Sequence, residues 1–251
     1  MKVIFHPRFY EHYTQDPAAA PGRMEPMVRA LEKEFEFFEP EPASERDLER
    51  VHGKNHIQSV KGDPVVYEIG LLAAGGAILA SELAFDGEPS FALVRPPGHH
   101  ASPHSCWGFC YFNNIAIAIK RLISEGKIQS ALILDFDLHY GDGTANTFSG
   151  SSEVNYFHPE GSNRRAFLNE VQTSLQTQKP YDLIAVSAGF DRHEEDWGGL
   201  LITEDYLAIG EYVKQAASER CQGRRFGVLE GGYNHSILGR NLKSFLQGLN
   251  D

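Results

Sequence analysis

Four short apolar runs, "FALV" at 91–94, "ALIL" at 131–134, "LIAVS" at 183–187 and "FGVL" at 226–229, alternate with stretches of helical periodicity. Runs this short, with no polar alternation, suit strands buried on both faces. Their alternation with helices marks a parallel sheet covered on both sides. The reading is therefore α/β: a single domain over residues 1–251, with a parallel β-sheet flanked by helices on both faces. Strands are predicted at Val3–His6, Phe91–Arg95, Ala131–Asp135, Val154–Phe157, Leu183–Ser187 and Phe226–Leu229. Helices are predicted at Met24–Phe35, Asp47–Val51, Asn55–Val60, Val65–Phe85, Asn113–Ser124, Phe167–Thr177, Glu204–Ala217 and Ser236–Leu249. Asn113 is the expected N-cap of its helix.

The residues just beyond each core run are chemically unusual. The run at 91–94 leads into His99 and His100, and "ALILDFDLH" ends in Asp135, Asp137 and His139. "LIAVSAGFD" ends in Asp191, and "FGVLEGGY" in Glu230, two glycines and Tyr233. Parallel strands end on one edge of their sheet, where ligands bind in α/β folds. An extended chain past Asp135 puts Asp135, Asp137 and His139 on one face. Asp137 and His139 can then chelate a metal, joined by Asp191 from a neighbouring strand. Two carboxylates and an imidazole leave a coordination position open, as catalytic zinc sites do.

The net charge of -11 and the absence of a lysine/arginine block argue against a nucleic-acid surface. Three cysteines, Cys106, Cys110 and Cys221, fit reduced thiols in a cytoplasmic setting. Cys110 reads as a small buried residue and Glu230 as a loop anchor. His6, His12, His52, His56, His104, His193 and His235 read as structural, and His158 as a candidate for the pocket rim. The N-terminus has no signal-peptide core, and the longest apolar stretch, at 69–85, carries Glu82 and is short for a membrane span. No membrane partner is expected.

Together "RPPGHHA" at 95–101, "GFCYFNN" at 108–114, "LDFDLHYGDGT" at 134–144, "VSAGFD" at 186–191 and "LEGGYN" at 229–234 resemble the histone deacetylase and acetylpolyamine amidohydrolase superfamily. The resemblance runs from about Pro21 to the end of the chain and implies the arginase/deacetylase fold. It further implies hydrolysis of an acylated lysine, polyamine or small acylated amine by one zinc ion on Asp137, His139 and Asp191. By motif position His100 is the general base and then acid, and His99 its electrostatic partner. Asp135 and Asp142 stand behind them, and Tyr233 is the oxyanion donor. Phe109, with Gly108 and Gly232, lines the substrate side, and Arg23 matches an arginine of an inner channel.

The chain also departs from that pattern. Tyr140 stands where many members have a second histidine. Tyr156 replaces a small hydroxyl residue that helps to bind a structural monovalent cation, leaving backbone carbonyls around Asp135, Asp137 and His139 to hold potassium. The segment between His158 and Tyr181 is much shorter than in most members and should lack the second aromatic wall of the channel, giving a shallower mouth. Two other classes fit the residues less well. A two-manganese ureohydrolase shares the fold but leaves the paired histidines and "GGY" unexplained. A non-catalytic acyl-binding protein would not need the full set of ligands, base and oxyanion donor. Oligomeric state is not legible.

Overall fold

Seven short segments form one sheet. They are Lys2–Ile4 (β1), Glu36–Phe38 (β2), Ser90–Ala92 (β3), Ala131–Asp135 (β4), Val154–Phe157 (β5), Ile184–Ala188 (β6) and Arg225–Leu229 (β7). The order is β2-β1-β3-β7-β6-β4-β5 and every pair is parallel. The computed structural model describes residues 1–177 and 180–250. All residues of β4, β6 and β7 are buried, as the unbroken apolar runs demand of strands covered on both faces.

The helices are Glu25–Leu31 (α1), Glu45–Leu48 (α2), Lys54–Lys61 (α3), Pro64–Phe85 (α4), Asn114–Ser124 (α5), Asp142–Thr147 (α6), Arg164–Thr177 (α7), Thr203–Arg220 (α8) and His235–Leu249 (α9). Helix α4 packs on α5 and on β1, β3 and β7, whereas α9 packs on α1 and α8. By length and hydropathy α4 could cross a membrane, but it is largely buried inside this protein, as its all-round apolar surface suggests.

Several predicted boundaries move, that of Asp47–Val51 to Glu45–Leu48 and that of Val3–His6 to Lys2–Ile4 among them. The helix expected over Met24–Phe35 ends at Leu31, and Glu36–Phe38 is an edge strand in register with β1. Phe35 continues the helical apolar spacing from Leu31, which hides the period-two pattern of "EFEFF". The strand expected over Phe91–Arg95 ends at Ala92, with one further ladder bond from Leu93 N to Ile4 O at 2.9 Å. Beyond it Pro96 and Pro97 have no N–H to donate to a ladder.

The loops beyond β3 are fastened to the body by His52. Its Nδ1–H donates to Ser102 O at 3.1 Å, and its Nε2 accepts from Asn113 N at 2.9 Å. Asn113 caps α5 by accepting from Ala116 N. Burial pushes the His52 imidazole down to about 3, with help from neighbouring His56. The unfolded chain takes up this proton near 6.5 and the folded protein only near 3, so stability falls as pH drops through that window. His52→Asn should flatten the acid side of a plot of melting temperature against pH. An unchanged acid slope would show that His52 is not its source.

Candidate functional site

Strands β3, β7, β6 and β4 are adjacent, so the loops at their carboxyl ends meet on one rim. The structure brings Asp137, His139 and Asp191 together there, with one potential ligand atom of each within 4.8 Å of the others. Asp137 and Asp191 are fully buried, while the His139 side chain is 39% exposed, so the cluster opens to solvent through the imidazole.

Backbone groups hold the carboxylates in place. Asp137 accepts from Gly231 N at 2.7 Å and from His139 N at 2.9 Å, and Asp191 Oδ1 accepts from Leu138 N at 2.9 Å. Asp191 Oδ2 is buried and accepts no hydrogen bond; His139 Nδ1 lies 3.1 Å away but out of line for one. A Cβ on Gly189 would lie 2.0 Å from Asp137 Oδ2, and one on Gly231 would lie 2.5 Å from the same oxygen. Both positions must be glycine for the chain to pass this close. Burial, then the charge of Asp137, raises the Asp191 carboxyl to about 6. The hydrogen bond to Asp137, and the Asp191 carboxylate close by, raise His139 to about 10. Two acids crowded beside an imidazole, with one oxygen lacking a donor, fit a divalent cation.

Beside this cluster each tandem histidine has its own carboxylate. His99 Nδ1 lies 3.1 Å from Asp135 Oδ2, and His100 Nδ1 lies 2.6 Å from Asp142 Oδ1. A carboxylate only accepts, so both rings carry the proton on Nδ1 and turn Nε2 inward. Burial works against a charged His99, but the Asp137 and Asp135 carboxylates outweigh it and raise its pKa well above normal. Burial and then the charge of His99 lower that of His100. The two ring centroids lie only 4.1 Å apart, their planes tilted by 46°, yet the two groups are pushed in opposite directions. Asp142 is also the first residue of α6, so its capping and pairing positions coincide.

Tyr233 completes the group. Burial, then Asp137, raises its phenol far above normal, so the hydroxyl stays protonated. Phe109 stands edge-on to it at 6.0 Å, held at φ 67° after Gly108 at φ 58°. The left-handed backbone at Phe109 is strained for an L-residue. A Cβ on Gly108 would lie 2.4 Å from the His100 ring, and one on Gly232 would lie 2.6 Å from Leu238. Arg23 is buried and donates to Gly232 O at 2.9 Å and Glu230 O at 2.6 Å, so it braces the turn before Tyr233. Glu230, raised to about 7 first by burial, accepts from Gly98 N and His99 N, the anchoring role read from its position.

An arginine approaches the carbonyls named for potassium. The buried guanidinium of Arg192 donates from Nε to Phe136 O at 3.2 Å and Asp137 O at 3.0 Å, and from Nη2 to Pro159 O and His158 Nε2. Tyr156 OH donates to Asp135 Oδ2 and accepts from Gly141 N, both at 2.9 Å. The carbonyl of Asp137 thus already faces a fixed positive charge, and a second cation there would repel it. Arg192 therefore already serves one of the three carbonyls expected to hold potassium. Melting temperature and activity should be the same in potassium, sodium or choline chloride at equal ionic strength. A selective gain in potassium of several degrees would reinstate the ion.

Sequence reasoning passes over Arg192, and also Trp107 and Trp197. Trp107 Nε1 donates to Asp142 Oδ2 at 2.9 Å, and Trp197 stacks on Tyr233 at 3.9 Å. The available signal is position: the chain has two tryptophans, and both fall in loops that end core strands.

Known proteins resemble this chain over most of its length. The sequence matches the profile of the histone deacetylase domain over residues 18–159 and 159–249. A probable deacetylase of Methanothermobacter thermautotrophicus is 31% identical, over 99% of this chain and 90% of its own. A histone deacetylase-like amidohydrolase of Pseudomonas aeruginosa is 28% identical, over 90% of this chain and 76% of its own. The crystal structure of the HDA15 HD domain superposes with a TM-score of 0.85 at 22% identity, covering 99% of this chain and 88% of that one; at that identity it speaks for the fold.

Proposed function

The chain belongs to the histone deacetylase family, and on that premise we propose that it hydrolyses an acylated lysine, polyamine or small acylated amine with one zinc ion held by Asp137, His139 and Asp191. The observation that carries this reading is convergence. Three side chains able to ligate a metal, a histidine paired with a carboxylate and a half-buried phenol meet on the rim of four adjacent strands.

When bound there, the ion supplies Lewis-acid polarisation of the amide carbonyl and a water nucleophile at neutral pH. The remaining steps belong to the chain. His100, with Nδ1–H fixed by Asp142, takes a proton at Nε2 and returns it to the leaving amine, a role worth about 10²–10⁴ in rate. His99, held at Nδ1 by Asp135, is the electrostatic partner of His100 beside it. Tyr233 donates its O–H to the developing oxyanion. Phe109 walls the acyl group, with Gly108 and Gly232 giving it room.

The test is a deacylation screen over acetyl-lysine peptides, acetylated polyamines and longer acyl-lysines. At least one should be turned over, with activity lost to a chelator and restored by zinc. Full activity in chelator, or none on any acylated amine after zinc loading, would refute the proposal.

A further inference from the structure

Aromatic rings close a circuit around the candidate centre. Trp107 lies on His100 at 4.0 Å between ring centroids, His100 is 6.0 Å from His139, and His139 is 6.0 Å from Trp197. Trp197 stacks on Tyr233 at 3.9 Å, and Tyr233 is 6.0 Å from Phe109, which the backbone joins to Trp107 through Gly108. The histidines, Tyr233 and Phe109 already have chemical roles. Trp107 and Trp197 do not, and they are the two tryptophans of the chain.

Both indoles are more than half exposed, at 56% and 54%. Large aromatic surface left open beside a buried polar centre marks a place that something covers. Acidic side chains gather beside both indoles, while the nearby arginine, Arg23, is buried 5.7 Å from the Tyr233 ring. Asp142 holds the Trp107 N–H, and Asp196 accepts the backbone N–H groups of Tyr233 and Asn234 next to Trp197. Glu194 and Glu195 lie on the same loop, Glu194 exposed. The loops at 99–112, 135–149, 191–202 and 229–239 contain no lysine, and their one arginine, Arg192, is buried and turned to backbone carbonyls. Indole faces attract ammonium groups through the ring quadrupole, tryptophan most strongly, and nearby carboxylates add to that attraction.

We propose that Trp107 and Trp197 are specificity-determining residues that bind a cationic group beyond the scissile amide, so that the favoured substrate is an acylated diamine or polyamine rather than an acyl-lysine in a neutral peptide. The inference rests on the deacylase reading of the centre. It adds where the second positive charge sits, over the open indole faces with Asp142 and Asp196 nearby.

Because both tryptophans sit at the mouth, their fluorescence reports directly on occupancy. An unacylated probe, 1,5-diaminopentane, should quench it saturably and less at high salt, whereas 1-pentanol should not. In turnover, kcat/KM for mono-acetylated diaminopentane should exceed that for neutral N-pentylacetamide by about tenfold. That ratio should approach one in the Trp107→Leu/Trp197→Leu double variant. Trp→Phe variants, which keep a weaker ring face, should be intermediate and serve should the leucine forms not fold. Equal kcat/KM for the charged and neutral amides, a ratio untouched by the substitutions, or no quenching by the diamine would overturn the proposal. Turnover of acetyl-lysine peptides alongside such results would leave the deacylase reading standing, so the two fail separately.

Discussion

Asp137→Asn is expected to lose bound metal and to cut kcat/KM by about 10³-fold or more, since the lost Lewis-acid contribution is several kcal/mol and each 1.4 kcal/mol is about tenfold. Asparagine is the sharper test because it keeps an acceptor for a backbone N–H. Asp137→Ala would leave both Gly231 N and His139 N without their partner, and each buried donor stranded in this way costs about 1–3 kcal/mol. The alanine form should therefore lose both stability and activity, and the asparagine form mainly activity. The substitution also removes the carboxylate that most strongly supports a charged His99 and raises Asp191. A near-normal rate in Asp137→Asn, measured on the metal-loaded protein, would mean that the ligand set is misassigned.

Tyr233→Phe carries the second large effect. Removing one preorganised oxyanion donor costs about 10²–10³ in kcat. The loss should fall on kcat with KM little changed, because the ring, its stack on Trp197 and its edge contact with Phe109 all remain. Burial and the neighbouring acids hold the phenol protonated far into the alkaline range, so Tyr233 should add no basic limb to the rate profile. A threefold or smaller change in kcat would reduce Tyr233 to a wall of the site.

The parallel sheet and the rim are legible in the sequence because they arise from local rules. Continuous apolar runs at Ala131–Leu134 and Ile184–Ala188 specify strands buried on both faces, and parallel strands deliver the residues after them to one edge. The pairing of His100 with Asp142 is legible from motif order, although Asp142 alone could be no more than a cap. Arg192 is not legible. An arginine after Asp191 looks like a solvated turn residue until the fold curls it back beneath β4 to meet the carbonyls of Phe136 and Asp137. The ring circuit is likewise a product of tertiary structure. Trp107 and Trp197 are far apart in sequence, and only the adjacency of β3, β7, β6 and β4 brings their loops together. The strand at Glu36–Phe38 is hidden because its pairing with β1, not its own composition, defines it.

The most direct measurement is the divalent metal content of the purified protein after zinc loading and removal of excess, by elemental analysis, alongside the Asp191→Asn variant. One zinc per chain in the native protein and almost none in the variant is the predicted result. Two ions per chain, or one that survives loss of the Asp191 carboxylate, would contradict a single centre built on Asp137, His139 and Asp191.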